Sequence, residues 1–180
     1  MIRLLKDPDE SVRKSAADAL EKLEGKSNLN KLCEIYRHGD KKTRLQAIYA
    51  LAKIADPAAS DTLVDALQSE EEDIRSAAVR VLGQRKDPRT VAPLIERLDD
   101  KSITIRVLAV EALGNFGDKR IAPTLIELLK NDNKYLLVST IEALGKLGSI
   151  EAEEALIELL DHPESEVRRA AATALGELEV

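Results

Sequence analysis

Aromatic side chains are nearly missing from this chain, with Trp 0, Phe 1 and Tyr 3 in 180 residues. That scarcity removes the stacking platform on which single-strand nucleic-acid binders rely, and it argues against a β-sandwich core. Cysteine occurs once, as Cys33. A lone thiol excludes a disulfide framework and makes a reducing cytoplasm the simplest setting. Histidine occurs only as His38 and His162, and no set of ligands converging on a metal is visible around either. No stretch long enough for a membrane span, roughly 20 residues, is free of charge. The opening Met1-Ile2-Arg3-Leu4-Leu5-Lys6 is too short an apolar run for a signal peptide. A glycine-rich phosphate loop is absent as well; Gly83, Gly114, Gly145 and Gly176 come one at a time, where a helix C-terminus is expected.

What the chain has instead is charge and repetition. Charged residues make up 33% and the net charge is −6, a balance that speaks against a general nucleic-acid binder. Lys31, Arg37, Lys41, Lys42, Arg44 and Lys53 do form one basic stretch, but Glu70, Glu71, Glu72 and Asp73 answer it directly. The dominant pattern is a leucine returning every 31 residues, at Leu20, Leu51, Leu82, Leu113, Leu144 and Leu175. An arginine keeps the same interval at Arg13, Arg44, Arg75, Arg106 and Arg168, with Leu137 in the one missing place. A fixed period of this length is the signature of stacked repeats.

Each repeat reads as two helices. In the stretch from Asp87 to Gly114, Asp87-Pro88 marks an N-cap and first turn, and Leu94, Ile95 and Leu98 line one face up to Asp99-Asp100. Ile105, Ala109, Ala112 and Leu113 then recur at helical spacing. Across repeats one slot of the second helix holds Thr43, Ile74, Ile105, Leu136 and Val167, and another holds Ala47, Ala78, Ala109, Thr140 and Ala171. The first helices answer with Leu32, Leu63, Leu94, Leu125 and Leu156, then Tyr36, Leu67, Leu98, Leu129 and Leu160. No unit can bury such faces alone, so the expectation is an all-α, right-handed α-solenoid. It comprises about six helix-pair repeats over residues 1–180 as a single domain, the first repeat truncated.

The run Asp-Pro-Arg-Thr-Val-Ala-Pro-Leu (Asp87 to Leu94), followed by Ile105-Arg106 and Glu111-Ala112-Leu113-Gly114, resembles the HEAT-like repeats first described in phycobilin lyases. The resemblance covers essentially the whole chain and implies fold far more sharply than activity, because members include lyase subunits, a hydroxylase, DNA-binding glycosylase relatives and many scaffolds. It implies that the arginine ladder ties neighbouring repeats together through the loop aspartates, here Asp56, Asp87 and Asp118, with Gly25 and Ser149 in the same slot elsewhere. The hydroxylase branch holds two irons through His-Glu pairs, whereas His38 precedes Gly39 and His162 precedes Pro163. Both histidines fall in one turn slot with Asp7, Ser69, Asp100 and Asn131, a capping position. Cys33 lies on or beside the apolar stripe of its helix, where a thiol is buried and inert.

In such arrays the second helices line a concave docking face. Outward positions on that face are polar in most repeats, but the fourth and fifth place Ile103, Val107, Leu108, Tyr135 and Val138 there. An apolar cluster with a polar rim is what a protein-binding site looks like. The fifth repeat also loses its ladder arginine to Leu137 and a core alanine to Thr140; a slightly rotated helix packing these residues away is the competing explanation. The sequence therefore points to a non-catalytic scaffold that needs no cofactor and binds a protein or peptide on its concave face. The alternative is a tetrapyrrole-binding enzyme subunit resembling a bilin lyase, and the two ends of the array are candidates for self-association.

Overall fold

A computed structural model of the chain describes residues 2–22 and 26–178, with side chains for 4–16 and 28–178. The described residues contain helices and turns and no strand. They form two compact units, Met1–Thr90 and Val91–Val180.

In the first unit a 3-10 turn, Ile2–Lys6, leads into α1 (Glu10–Lys22), then α2 (Lys26–His38), α3 (Lys41–Leu51), α4 (Pro57–Ala66) and α5 (Glu72–Arg85). The second helices α1, α3 and α5 pack in series, while α2 and α4 pack beside them. In the second unit the short helices are α6 (Val91–Ile95), α8 (Ala122–Glu127) and α10 (Glu153–Glu158), and the long ones α7 (Ile103–Phe116), α9 (Lys134–Leu147) and α11 (Ser165–Glu177). Here α9 packs between α7 and α11. The periodic leucines Leu51, Leu82, Leu113 and Leu144 are fully buried. Leu20 lies outside the described side chains, and Leu175 is half-buried.

The first helices of the second unit are not the continuous α-helices the sequence predicts. Each is a 3-10 turn, a short α-helix and a second 3-10 turn, as in Lys119–Ile121, α8 and Leu128–Lys130. Pro93 and Pro123 fall in the first turn of α6 and α8, where their missing N–H is tolerated, and α10 takes the same form without a proline. Turn chemistry follows the repeat. Asp56, Asp87 and Asp118 each accept the N–H two residues on, at 2.9, 3.1 and 3.0 Å. Asp7, Ser69, Asp100, Asn131 and His162 do the same before the second helices, His162 through Nδ1 to the Glu164 N–H at 3.1 Å. His38 instead ends α2, its Nε2 3.2 Å from Glu34.

Three expectations change. The arginine ladder does not reach the loop aspartates: Arg13, Arg75 and Arg168 each donate Nη1 to the carbonyls six and five residues upstream, such as Ser69 O at 2.8 Å and Glu70 O at 3.0 Å for Arg75. These bonds close the turn before each second helix. Arg44 crosses to the next repeat, meeting Glu71 at 3.0 Å and Ser69 Oγ at 3.2 Å. The once-per-repeat glycines are not helix ends either. Gly114 and Gly145 sit inside α7 and α9, where an added Cβ would come within 2.7 Å of Ala143 Cβ and 2.9 Å of Ala174 Cα. Their lack of a side chain sets the helix spacing, and the left-handed caps are Gly117 (φ 73), Gly148 (φ 58) and Lys86 (φ 51) in the corresponding place.

The third concerns Arg85, which stands in the slot filled by Ile54, Phe116 and Leu147, where a long side chain is expected to lay its stem on the apolar surface and keep its charge in water. In the position of those left-handed caps α3 has Ala55, and it stops early, at Leu51. Arg85 reaches back to the carbonyls this leaves, Leu51 O at 3.1 Å, Ala52 O at 3.3 Å and Ile54 O at 2.5 Å. One guanidinium from the next repeat thus supplies the cap that α3 lacks.

Candidate functional site

The outward face of α7, α9 and α11 is set by the helical period, with positions three and four apart stacked along each helix and like positions recurring 31 residues later on the next. Asn133 fixes where α9 begins: its carbonyl oxygen accepts from the Tyr135 and Leu136 N–H groups at 3.1 and 3.2 Å. That cap, with Asn131 accepting from Asn133 N–H at 2.9 Å, builds the turn in the repeat where Leu137 replaces the ladder arginine. Leu137 is buried, and Thr140 satisfies its hydroxyl on Leu136 O at 2.7 Å, so both departures are absorbed by packing.

The five residues singled out from sequence do not form one exposed patch. Tyr135 is displayed, with 69% of its surface exposed. Ile103, Val107 and Val138 are half-buried and offer their edges. Leu108 is a correction: only 7% of it is exposed, so it supports the face from beneath and cannot touch a partner. Alanine fills the corresponding place in α11, Ala170, which is also buried.

A cross-repeat rung explains why Tyr135 stands out. In the first unit Lys41, at the start of α3, pairs with Asp73 at the start of α5. The same two positions recur as Lys134 and Glu166, whose charged atoms are 3.1 Å apart. Between α7 and α9 the rung holds Ile103 and Tyr135 instead of an ion pair. The hydrogen bond to Glu166 raises the Lys134 pKa, and the Lys134 ammonium lies 5.6 Å from the centre of the Tyr135 ring. An exposed ring with a cation held against it presents one open aromatic face and the phenolic hydroxyl. Sequence reading marked Ile103 and Tyr135 as apolar without seeing that they replace a salt bridge; comparing the charge of positions 41/73 with 103/135 and 134/166 would have shown it.

The described residues contain no group of three His, Cys, Asp or Glu side chains placed to hold a metal ion. Cys33 is buried in the first unit, its sulfur 3.1 Å from Thr62 Oγ1. Among the described residues no helix is long and apolar enough to cross a membrane.

Known proteins place the fold. The sequence profile described as HEAT repeats matches residues 29–106 and 91–176, and a HEAT repeat profile matches 1–23. No curated protein matches in sequence. Among solved structures, the CpcE–CpcF complex of phycocyanin lyase from Nostoc sp. PCC7120 is similar at 28% identity and TM-score 0.71, over 83% of this chain and 64% of that one. An engineered protein is similar at 22% identity and TM-score 0.66, over 98% and 94%. A designed armadillo repeat protein in complex with the peptide (KR)4 is similar at 20% identity and TM-score 0.67, over 99% and 98%.

Proposed function

As the chain belongs to the HEAT-repeat family, we propose that it is a non-catalytic scaffold binding a protein or peptide on the face of its second helices, the concave face in arrays of this kind. The observation that carries this reading is Tyr135, an exposed ring in a rung where the following rung holds the Lys134–Glu166 ion pair. Tyrosine supplies a large contact area at low entropic cost and is enriched among residues that dominate binding energy. The half-buried edges of Ile103, Val107 and Val138 extend its apolar surface, and Glu142, Thr104 and Glu111 are exposed polar residues on the same helices. A partner segment with an aliphatic or proline side chain over the ring fits that arrangement. The lone buried Cys33 supports a reducing cytoplasm as the setting.

The test begins with peptides selected from a random displayed library against the whole chain. Tyr135→Ala should weaken the selected peptides by about 2 kcal/mol, roughly thirtyfold, while Tyr49→Ala on the exposed face of α3 leaves them unchanged. Equal affinity for the parent chain and the Tyr135 variant would remove the proposal's basis.

The likeness to the phycocyanin lyase complex favours a second reading, a tetrapyrrole held on the same face. Titrating the chain with a bilin separates the two: a saturable absorbance shift lost in the Tyr135 variant supports the pigment, and an unchanged spectrum supports the peptide.

A further inference from the structure

The rung between α7 and α9 departs from its counterpart in the first unit at a second place, one helical turn along α7 from Ile103, where the ladder residue Arg106 stands. Its counterpart Arg44 is fully engaged. Arg44 donates Nη1 to Glu71 at 3.0 Å, and Nη2 to Ser69 Oγ at 3.2 Å and Tyr36 Oη at 3.3 Å, with the Tyr36 ring centre 5.1 Å from the guanidinium. Two repeats on, Tyr36, Ser69 and Glu71 become Leu98, Asn131 and Asn133. Leu98 has no hydroxyl, and neither asparagine carries charge. Both asparagine carbonyl oxygens are already engaged in the turn, Asn131 with the Asn133 N–H and Asn133 with the Tyr135 and Leu136 N–H groups. Arg106 is half-buried, and its Nε is buried with no hydrogen-bond partner among the described residues.

The start of α9 shows the same deficit. The first turn of α5 carries Glu72 and Asp73 and that of α11 carries Glu166, whereas the first turn of α9 has no acidic residue. A carboxylate is favoured at that end of a helix by the helix dipole. In the first unit Glu71 therefore answers both a guanidinium and a helix end, and Asn133 answers neither charge. The other charges of this face lie elsewhere. Lys134 is paired with Glu166 at 3.1 Å. Asp132 is exposed, in the place of Glu70 rather than of Glu71. Glu111 and Glu142 are exposed toward the C-terminal halves of α7 and α9. The unmatched positive charge thus stands at the end of the face that displays Tyr135.

We propose that the partner supplies in trans the carboxylate this rung lacks: a peptide segment whose Asp or Glu side chain pairs with Arg106 at the start of α9, next to an aliphatic residue lying on the Tyr135 ring. This inference rests on the reading of the face as a peptide site and adds the charge of its ligand. A carboxylate can take two guanidinium N–H groups at once, so the half-buried arginine gives direction as well as attraction. Glu111 and Glu142 repel an acidic side chain at the other end of the face, which fixes the orientation of the segment.

Peptides selected from a random displayed library against the whole chain are the probes. They carry an acidic residue at a constant spacing from an aliphatic one, and exchanging that residue for its amide weakens binding roughly tenfold. Arg106→Gln weakens the same peptides by a similar factor, and on this variant the acid and amide forms bind alike, so the two changes are not additive. Raising the salt weakens the parent complex more than that of the variant. Asn133→Asp keeps a residue able to cap α9 and places a carboxylate beside Arg106 in cis; it too abolishes the preference for acid over amide. Should the glutamine variant lose helix by circular dichroism, Asn133→Asp carries the test. Selected peptides with no acidic residue at a constant place, or an acid-to-amide exchange that costs as much on both variants as on the parent, overturn the proposal. Tyr135→Ala separates it from the reading beneath it: peptides weakened by that variant but indifferent to Arg106 leave the peptide site standing, and peptides indifferent to Tyr135 remove both.

Discussion

At the scale of single residues, the glycines carry the sharpest lesson. Alanine is a better helix former than glycine by about 1 kcal/mol, so propensity alone recommends replacing any glycine inside a helix. At Gly114 the new methyl would sit 2.7 Å from Ala143 Cβ and 2.9 Å from its Cα, and backbone cannot swing aside. Gly114→Ala is therefore expected to destabilise by about 1–3 kcal/mol, the usual cost of overpacking. Gly176→Ala, with open space at the same place in the repeat, is expected to gain about 0.5–1 kcal/mol. Urea unfolding of the two variants decides the matter; equal shifts of the same sign would show that the glycines do not set helix spacing. The period made these residues conspicuous in the sequence. It could not show their role, because a glycine near a helix end reads as a cap until the neighbouring helix is in view.

At the scale of elements, helix length depends on partners outside the helix. Ile54, Phe116 and Leu147 occupy the slot that Arg85 holds in α5, so pattern alone recommends Arg85→Leu. The structure predicts the opposite. Removing the guanidinium strips a charged donor from the carbonyls of Leu51, Ala52 and Ile54, at an expected cost of about 2–4 kcal/mol. Hydrogen exchange at the end of α3 should quicken in that variant while α7 and α9 are unaffected. A variant as stable as the parent would mean that water caps α3 equally well. Substituting Ala55 by glycine restores the cap found after α7 and α9 and should recover part of the loss. The existence of each helix pair was readable from the 31-residue interval. The 3-10 ends around α6, α8 and α10 were not, because hydrogen-bond register at short helix ends depends on packing against the neighbouring helices.

At the scale of the whole molecule, the repeat was legible because stacking imposes one pattern on every core slot, and leucine and alanine satisfy it in almost the same way each time. The binding face was legible only in part. Periodicity assigns positions to a helix face in 100° steps, which cannot separate Leu108, which is buried, from Tyr135, which projects from the surface. The turn that replaces the ladder arginine with Asn131 and Asn133 was also hidden, since two asparagines before a helix read as ordinary caps. Recognition on the Tyr135 face is the central claim, and hydrogen exchange of the chain with and without a selected peptide tests it most directly. Slowed exchange confined to Ile103–Val107 and Lys134–Val138 is the predicted result. Protection limited to the first helices α8 and α10, or to the first unit alone, would contradict it.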